Sequence, residues 1–305
     1  MRHNRAVVPA GVPTEQIRAA VRTGWHRTVE ECVPVARSTW AVVAQGERFA
    51  ATLVATAGRA RFEAAMAAAG YLAACGFAAG APERAANGQL TSAFGGAVLA
   101  LLRWVPGRPL EPVDPVDQQW WGDTLAAAHR ALAGFGHPGL GRFPGVRPEA
   151  AHLGFAPWIR PVVAGAVAAV ARLSVTDQLT YGVLHGDPAA GSFRLDVGTG
   201  RLGLVGWGAA AHGPLAYDVA SAVLHAGGPA EAAELLDGYR AAGPVPKDEL
   251  DAALPAMLSL RLAVRVDDLA RRLAHGAGDG DGDLDELDRT RDLLDRLAAE
   301  GPGAL

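Results

Sequence analysis

Forty residues constrain what this chain can fold into more than any others, residues 181–220, YGVLHGDPAAGSFRLDVGTGRLGLVGWGAAAHGPLAYDVA. Two short strand-like pieces, residues 193–196 and 202–205, flank a Gly198-Thr199-Gly200 turn, which is hairpin chemistry. His185-Gly186-Asp187 precedes the first run, behind a further strand-like piece at 182–184, and Gly206-Trp207-Gly208 follows the second. A hairpin of this kind presents residues from both of its ends to one cleft.

The 305 residues are 50% hydrophobic and 20% charged, enough for one large domain or two lobes. Ile17, Val21 and Trp25 recur at helical spacing after Thr14, so a helix capped by Thr14 is expected over residues 14–31. Residues 38–44 and 48–56 are β-branched and aromatic and meet at Gln45-Gly46-Glu47, a second hairpin. A helix follows from Gly58 to Leu72, then a strand pair at 89–94 and 97–104 split by Gly95-Gly96. Val105-Pro106-Gly107-Arg108-Pro109 ends that sheet, because two prolines cannot continue a central strand. Beyond it the pattern is helical at 117–132, 148–173, 215–225, 229–239, 248–273 and 285–299. The expected architecture is α+β, with a small β-rich segment (1–103) and a mainly helical segment (104–305) that carries the loop and hairpin at 182–206.

Composition removes several classes. A net charge of −4 and a pI near 6.1 argue against a nucleic-acid surface. The N-terminal residues MRHNRAVVPAGVPTEQ lack the apolar run of a signal peptide, and no stretch reaches the ~20 apolar residues of a membrane helix. Cys32 and Cys75 make neither a disulfide framework nor a metal cluster, so a cytoplasmic protein is expected. Residues 278–283, GDGDGD, fail the calcium-loop spacing in both registers. They read as a flexible loop, with Asp283 capping the last helix. Tryptophans 120, 121, 158 and 207 are assigned to the core in preference to a ligand cleft, and His129 to packing on its helix. Among the 28 lysines and arginines there is one lysine, Lys247. Any mechanism that needs a lysine before position 247 is excluded.

HGDxxxx, a strand pair, a tryptophan turn and PxxYDxA, in that order, resemble the catalytic region of the aminoglycoside phosphotransferase and choline kinase family, a branch of the two-lobed protein-kinase-like fold. The likeness extends to Ser38-Thr39-Trp40 with its hairpin, to the run from Ala100 to Leu110 ending in Pro-Gly-Arg-Pro-Leu, and to Gly122–Arg130 as the first helix of the larger lobe. It implies Asp187 as catalytic base, facing a cleft between the lobes, and His185 and Asp218 as braces of the loop. It also implies substrate selection by the helical stretch 112–176. The family's metal-binding asparagine falls on Ser192 and its metal-binding aspartate on Gly206, which offers no ligand. Its phosphate-binding lysine falls at Thr52 and its helix glutamate near Ala65, with Glu63 two residues away.

Phosphoryl transfer in this fold neutralises the nucleotide's charge with metal ions and a lysine. With those positions altered together, neither metal nor cofactor is expected, and ATP with magnesium only if phosphotransfer survives. Arg48, Arg59 and Arg61 are candidate substitutes, since guanidinium binds phosphate well. A carboxylate at 187 in a dry cleft without cations is expected to have a raised pKa, suited to acid–base chemistry. Three functions follow. First is a pseudokinase-like binding or accessory protein, holding a small molecule or peptide between the lobes in a natural-product pathway, with a modifying enzyme as partner. Second is new chemistry on Asp187, and third a divergent phosphotransferase.

Overall fold

The computed structural model describes residues 12–36, 38–143, 146–175, 179–276 and 280–300. Gly278 and Asp279 of the expected acidic loop, and the first eleven residues, lie outside these. Helix covers 54% and strand 19% of the structure, so the class is α+β. Two compact units are present. One gathers the chain to Leu110 with Ala131–Gly141 and Gly191–Ala211, and the other comprises Glu111–Arg130, Arg142–Ala190 and the chain from His212. Residues 191–211, placed by the sequence reading in the second segment, belong to the first unit.

Helix α1 (Thr14–Trp25) is shorter than its periodicity suggests. Pro13 stands at its N-cap with no side-chain capping bond, and His26 ends it in the left-handed region at φ 53°. That turn releases a strand that the periodicity does not predict, β1 (Val29–Ala36), whose first three residues fall in the expected helix. It pairs antiparallel with β2 (Thr39–Ala44), which pairs with β3 (Glu47–Ala55). Gln45 (φ 54°) and Gly46 (φ 75°) make the β2–β3 turn with two consecutive positive φ angles, the twist a two-residue hairpin needs. Helix α2 (Arg59–Ala74) stops before Gly76, whose φ is 93°. Short β4 (Pro82–Glu83) and β5 (Ser92–Phe94) both pair with β6 (Ala97–Arg103), giving a sheet ordered β1-β2-β3-β6-β4. Period-two alternation sends Phe49, Ala51 and Leu53 into one core with Ile17, Val21 and Trp25 of α1. Each large side chain buried there contributes about 1.5–3 kcal/mol.

Helix α3 (Pro115–Ala131) begins where Asp114 Oδ1 accepts from the amides of Val116 and Asp117, 2.9 Å each. After β7 (Gly141–Arg142), helix α4 (Ile159–Val175) starts later than expected. Pro161 lies in its first turn, where a missing N–H costs nothing. Strand β8 (Tyr181–Leu184) leads to the Asp187 loop. The hairpin β9 (Phe193–Asp196) and β10 (Arg201–Leu204) follows, in register Asp196↔Arg201 to Phe193↔Leu204. A further strand, β11 (Ala211–Pro214), was not foreseen, because Ala-His-Gly-Pro carries no β signal; it lies next to β8.

The remaining helices are α5 (Ala216–His225), α6 (Ala233–Ala242), α7 (Lys247–Ala274, with Pro255 inside) and α8 (Gly280–Glu300). Asp283 is not the cap of α8. It lies within the helix and accepts two bonds from Arg272, at 2.8 and 3.2 Å, and this bidentate pair holds the first turn of α8 against α7.

Candidate functional site

The PxxYDxA segment turns from β11 directly into α5 and buries Asp218 completely. A fully buried carboxylate requires donors, and the chain supplies three. The amide of His185 donates to Oδ2 at 2.6 Å, that of Gly186 to Oδ1 at 2.9 Å, and His129 Nε2 to Oδ2 at 3.2 Å. Tyr239 in turn donates to His129 Nδ1 at 2.9 Å. Burial, with the Asp218 charge nearby, pushes the Tyr239 phenol far above its ordinary range and keeps it a donor. Gly186 sits at φ 90°, and Trp121 Nε1 donates to Pro188 O at 3.0 Å, so the loop is pinned on both sides of Asp187.

Asp187 itself is half exposed. Its Oδ1 accepts from Arg261 Nη2 and from His225 Nε2, each at 2.8 Å. Arg261 projects from α7, is 17% exposed, and also donates from Nε to the buried Ser221 hydroxyl at 2.9 Å. Burial opposes ionisation of Asp187. The His225 hydrogen bond and the Arg261 charge outweigh it and hold the carboxyl well below the usual range. The expectation of a raised pKa is therefore corrected. It assumed no cation beside Asp187, and the fold delivers one from 74 residues away. The available signal was Arg261 itself, a charge inside the run Ala-Met-Leu-Ser-Leu-Arg-Leu-Ala-Val, where a buried guanidinium needs a partner.

The nucleotide and metal positions implied by the resemblance lie in the first unit. Thr52 sits on the face of β3 opposite the core, beside Thr39 across the ladder, with the two hydroxyls 3.4 Å apart. Ala65 is fully buried in α2. Glu63 accepts from Arg59 Nε at 3.0 Å and from Thr91 Oγ1 at 2.6 Å. Burial works against its ionisation, but these two bonds prevail and lower its pKa. Arg59 is thus engaged within its own helix, Arg48 stacks on Trp104 at 4.0 Å, and Arg61 donates to Ala209 O at 3.3 Å. Val205 N donates to Ser192 O at 2.8 Å, joining Ser192 to the residue before Gly206 through backbone. Gly206 is exposed at φ 91°, and Trp207 beside it is buried with its Nε1 on Leu204 O. Asp196 closes the β9–β10 turn through Gly198 N and Thr199 Oγ1.

The positions that the resemblance assigns to magnesium and ATP carry neither a carboxylate nor a lysine. A hard divalent cation wants carboxylate oxygens, and the two positions offer a hydroxyl and a glycine. Among the described residues no group of three His, Cys, Asp or Glu side chains is placed to hold a metal ion. A phosphate chain wants the cation that Thr52 lacks. Of the four tryptophans, 121 and 207 are buried, 158 is half-buried with Arg291 at 5.3 Å, and 120 is exposed. Cys75 is exposed and Cys32 buried, both as free thiols. Among the described residues no helix is long and apolar enough to cross a membrane.

The ordered core strands, the Pro-Gly crossover, the HGD loop and the braced Tyr-Asp helix define a kinase-like fold. The chain belongs to the phosphotransferase enzyme family, whose model matches residues 35–251. Similar solved structures include the amicoumacin kinase hAmiN in complex with AMP-PNP, Ca²⁺ and Ami, at 17% identity, TM-score 0.70 and 93% coverage of both chains. A microcompartment-associated aminopropanol kinase matches at 16% identity and TM-score 0.72, covering 95% of this chain and 100% of that one. The choline kinase LicA from Streptococcus pneumoniae matches at 13% identity and TM-score 0.65, covering 92% and 98%. No curated protein matches the sequence.

Proposed function

We propose that this chain is a kinase-fold protein that no longer transfers phosphate from Mg-ATP and serves as a binding or accessory protein. Its partner on this reading is a modifying enzyme, and its ligand a peptide or small molecule in a natural-product pathway. The observation that carries the reading is the double engagement of Asp187 Oδ1 by Arg261 and His225. A catalytic base must offer its oxygen to an acceptor hydroxyl. Oδ1 of this one already holds two donors, and the His225 hydrogen bond with the Arg261 charge keeps the carboxyl ionised, so it is no acid at neutral pH. Gly206, Ser192 and Thr52 support the same conclusion from the nucleotide side. The family's ligand classes, represented by kinases of amicoumacin, aminopropanol and choline, lend small polar molecules as the first ligands to try.

The test is transfer of label from γ-labelled ATP, with magnesium or manganese, to a panel of amino alcohols and aminoglycosides. The folded protein transfers none above a no-enzyme control. Label appearing in any acceptor, and lost in Asp187→Asn, would return the chain to the active phosphotransferases.

A further inference from the structure

The outer face of α3 has no role in the loop described above. Val113 is 84% exposed, Val116 55% and Trp120 38%, so three large apolar side chains stand in solvent within eight residues. Val116, Trp120 and Asp123 follow the i, i+4, i+7 spacing of a single helix face. Together with Pro115, Gln119 and Glu234 of α6 they line an open groove of about 400 Å³. Its walls are fixed. A Cβ on Gly122 would overlap Leu235 O, and one on Gly238 would overlap Gln119 O, so α3 and α6 touch backbone to backbone. Gln118 Nε2 donates to both Pro112 O and Glu231 O at 2.7 Å and ties the start of α3 to the turn before α6.

Both ionisable side chains that line this groove, Asp123 and Glu234, are acidic, and Arg240 further along α6 is paired with Asp237 and Asp251. No lysine or arginine occurs from residue 109 to 129, nor from 202 to 239, whereas Glu111, Asp114, Asp123, Glu231, Glu234 and Asp237 all fall in those stretches. Asp123 and Glu234 pair with no cation among the described residues. An exposed tryptophan lining one groove with two unpaired carboxylates is complementary to a basic side chain, whose stem packs on the indole while its charge meets the acids.

We infer that the α3–α6 groove is a docking surface for a basic amphipathic segment of a partner polypeptide, with Trp120 as its anchor and Asp123 and Glu234 as its charge readers. Tryptophan at the centre of an interface typically carries a large share of the binding energy, and a helix laid in a groove uses this spacing of anchors. The surface shares no residue with the Asp187 loop, so it stands whether or not the chain binds nucleotide.

Titration of the full-length, ¹⁵N-labelled protein with a synthetic Leu/Lys amphipathic peptide tests this, with a Leu/Glu peptide of the same pattern as control. The Trp120 indole N–H signal, assigned by its loss in Trp120→Phe, is the reporter. The basic peptide shifts that signal and the acidic one does not. Affinity falls about tenfold or more, some 1.4 kcal/mol, in Asp123→Asn/Glu234→Gln and in Trp120→Ala, and weakens with added salt. Asp123→Asn/Glu234→Gln keeps side-chain size, so a fold preserved by circular dichroism separates lost binding from lost structure. Equal binding of the acidic peptide, unchanged affinity in both variants, or an unmoved Trp120 signal would overturn the proposal. Self-association without peptide that disappears in Trp120→Ala would also overturn it, since the occupant would then be a second copy of the chain.

Discussion

Arg261 on α7 donates to Asp187 Oδ1 at 2.8 Å while its Nε holds the Ser221 hydroxyl, so one guanidinium ties the HGD loop to α5 and α7 at once. Arg261→Met removes both bonds and leaves a buried hydroxyl without this donor. The expected cost is about 1–3 kcal/mol, read as a melting temperature lowered by several degrees. In the same variant the Asp187 carboxyl should move up toward the ordinary ~3.9, followed by ¹³C NMR titration. An unmoved carboxyl would show that Arg261 is not its counter-ion.

Asp187 also sets a pH dependence. Its folded pKa is depressed, so its contribution to stability is fully present above the unfolded value of ~3.9 and is lost as pH falls from there through the folded value. Chemical denaturation of wild type and Asp187→Asn should show a gap at pH 6–7 (roughly neutral) that narrows below about pH 4. A gap that widens in acid would contradict the assigned ion pair.

Asp218→Ala tests the brace. It strips the acceptor from the His185 and Gly186 amides and from His129 in a site that water does not reach. Removing one partner from a buried charged network costs about 3–5 kcal/mol. A large loss of stability is expected, with Asp218→Asn intermediate because it keeps one acceptor oxygen. A melting temperature within a degree or so of wild type would mean that the loop is held elsewhere.

Gly206→Asp asks whether the missing metal carboxylate is the whole deficit. The residue sits at φ 91°, where a side chain is strained by about 1–2 kcal/mol, and Thr52 still brings no ammonium to the phosphates. The single substitution should lower stability and leave magnesium-dependent nucleotide binding absent, as read by calorimetry. Recovery of binding by Gly206→Asp alone would show that the rest of the site is intact.

Legibility in the sequence followed the range of the interactions involved. The β2–β3 and β9–β10 hairpins, helix α2 and the long α7 are written in local periodicity and in turn glycines, and their positions are apparent from residues alone. The end of α1 is not, because His26 adopts a left-handed conformation with no glycine to announce it, and β1 begins inside the expected helix. Strand β11 reads as Ala-His-Gly-Pro, and only its neighbour makes it a strand. Asp283 looked like a cap until Arg272, eleven residues earlier, claimed it. At the site, His185, Asp187 and Asp218 are short-range features of one motif. Arg261 and His225 come from helices later in the chain, and no local pattern aims them at Asp187. That contact reversed the expected direction of the Asp187 pKa.

On the proposed function, the positions which hold a nucleotide and its metal in this family no longer do so in this chain. Isothermal titration of the purified wild-type protein with ATP, in magnesium and then in EDTA, measures it directly. No heat beyond dilution is expected in either condition, up to millimolar nucleotide. Saturable binding that requires magnesium and disappears in Asp187→Ala would contradict it.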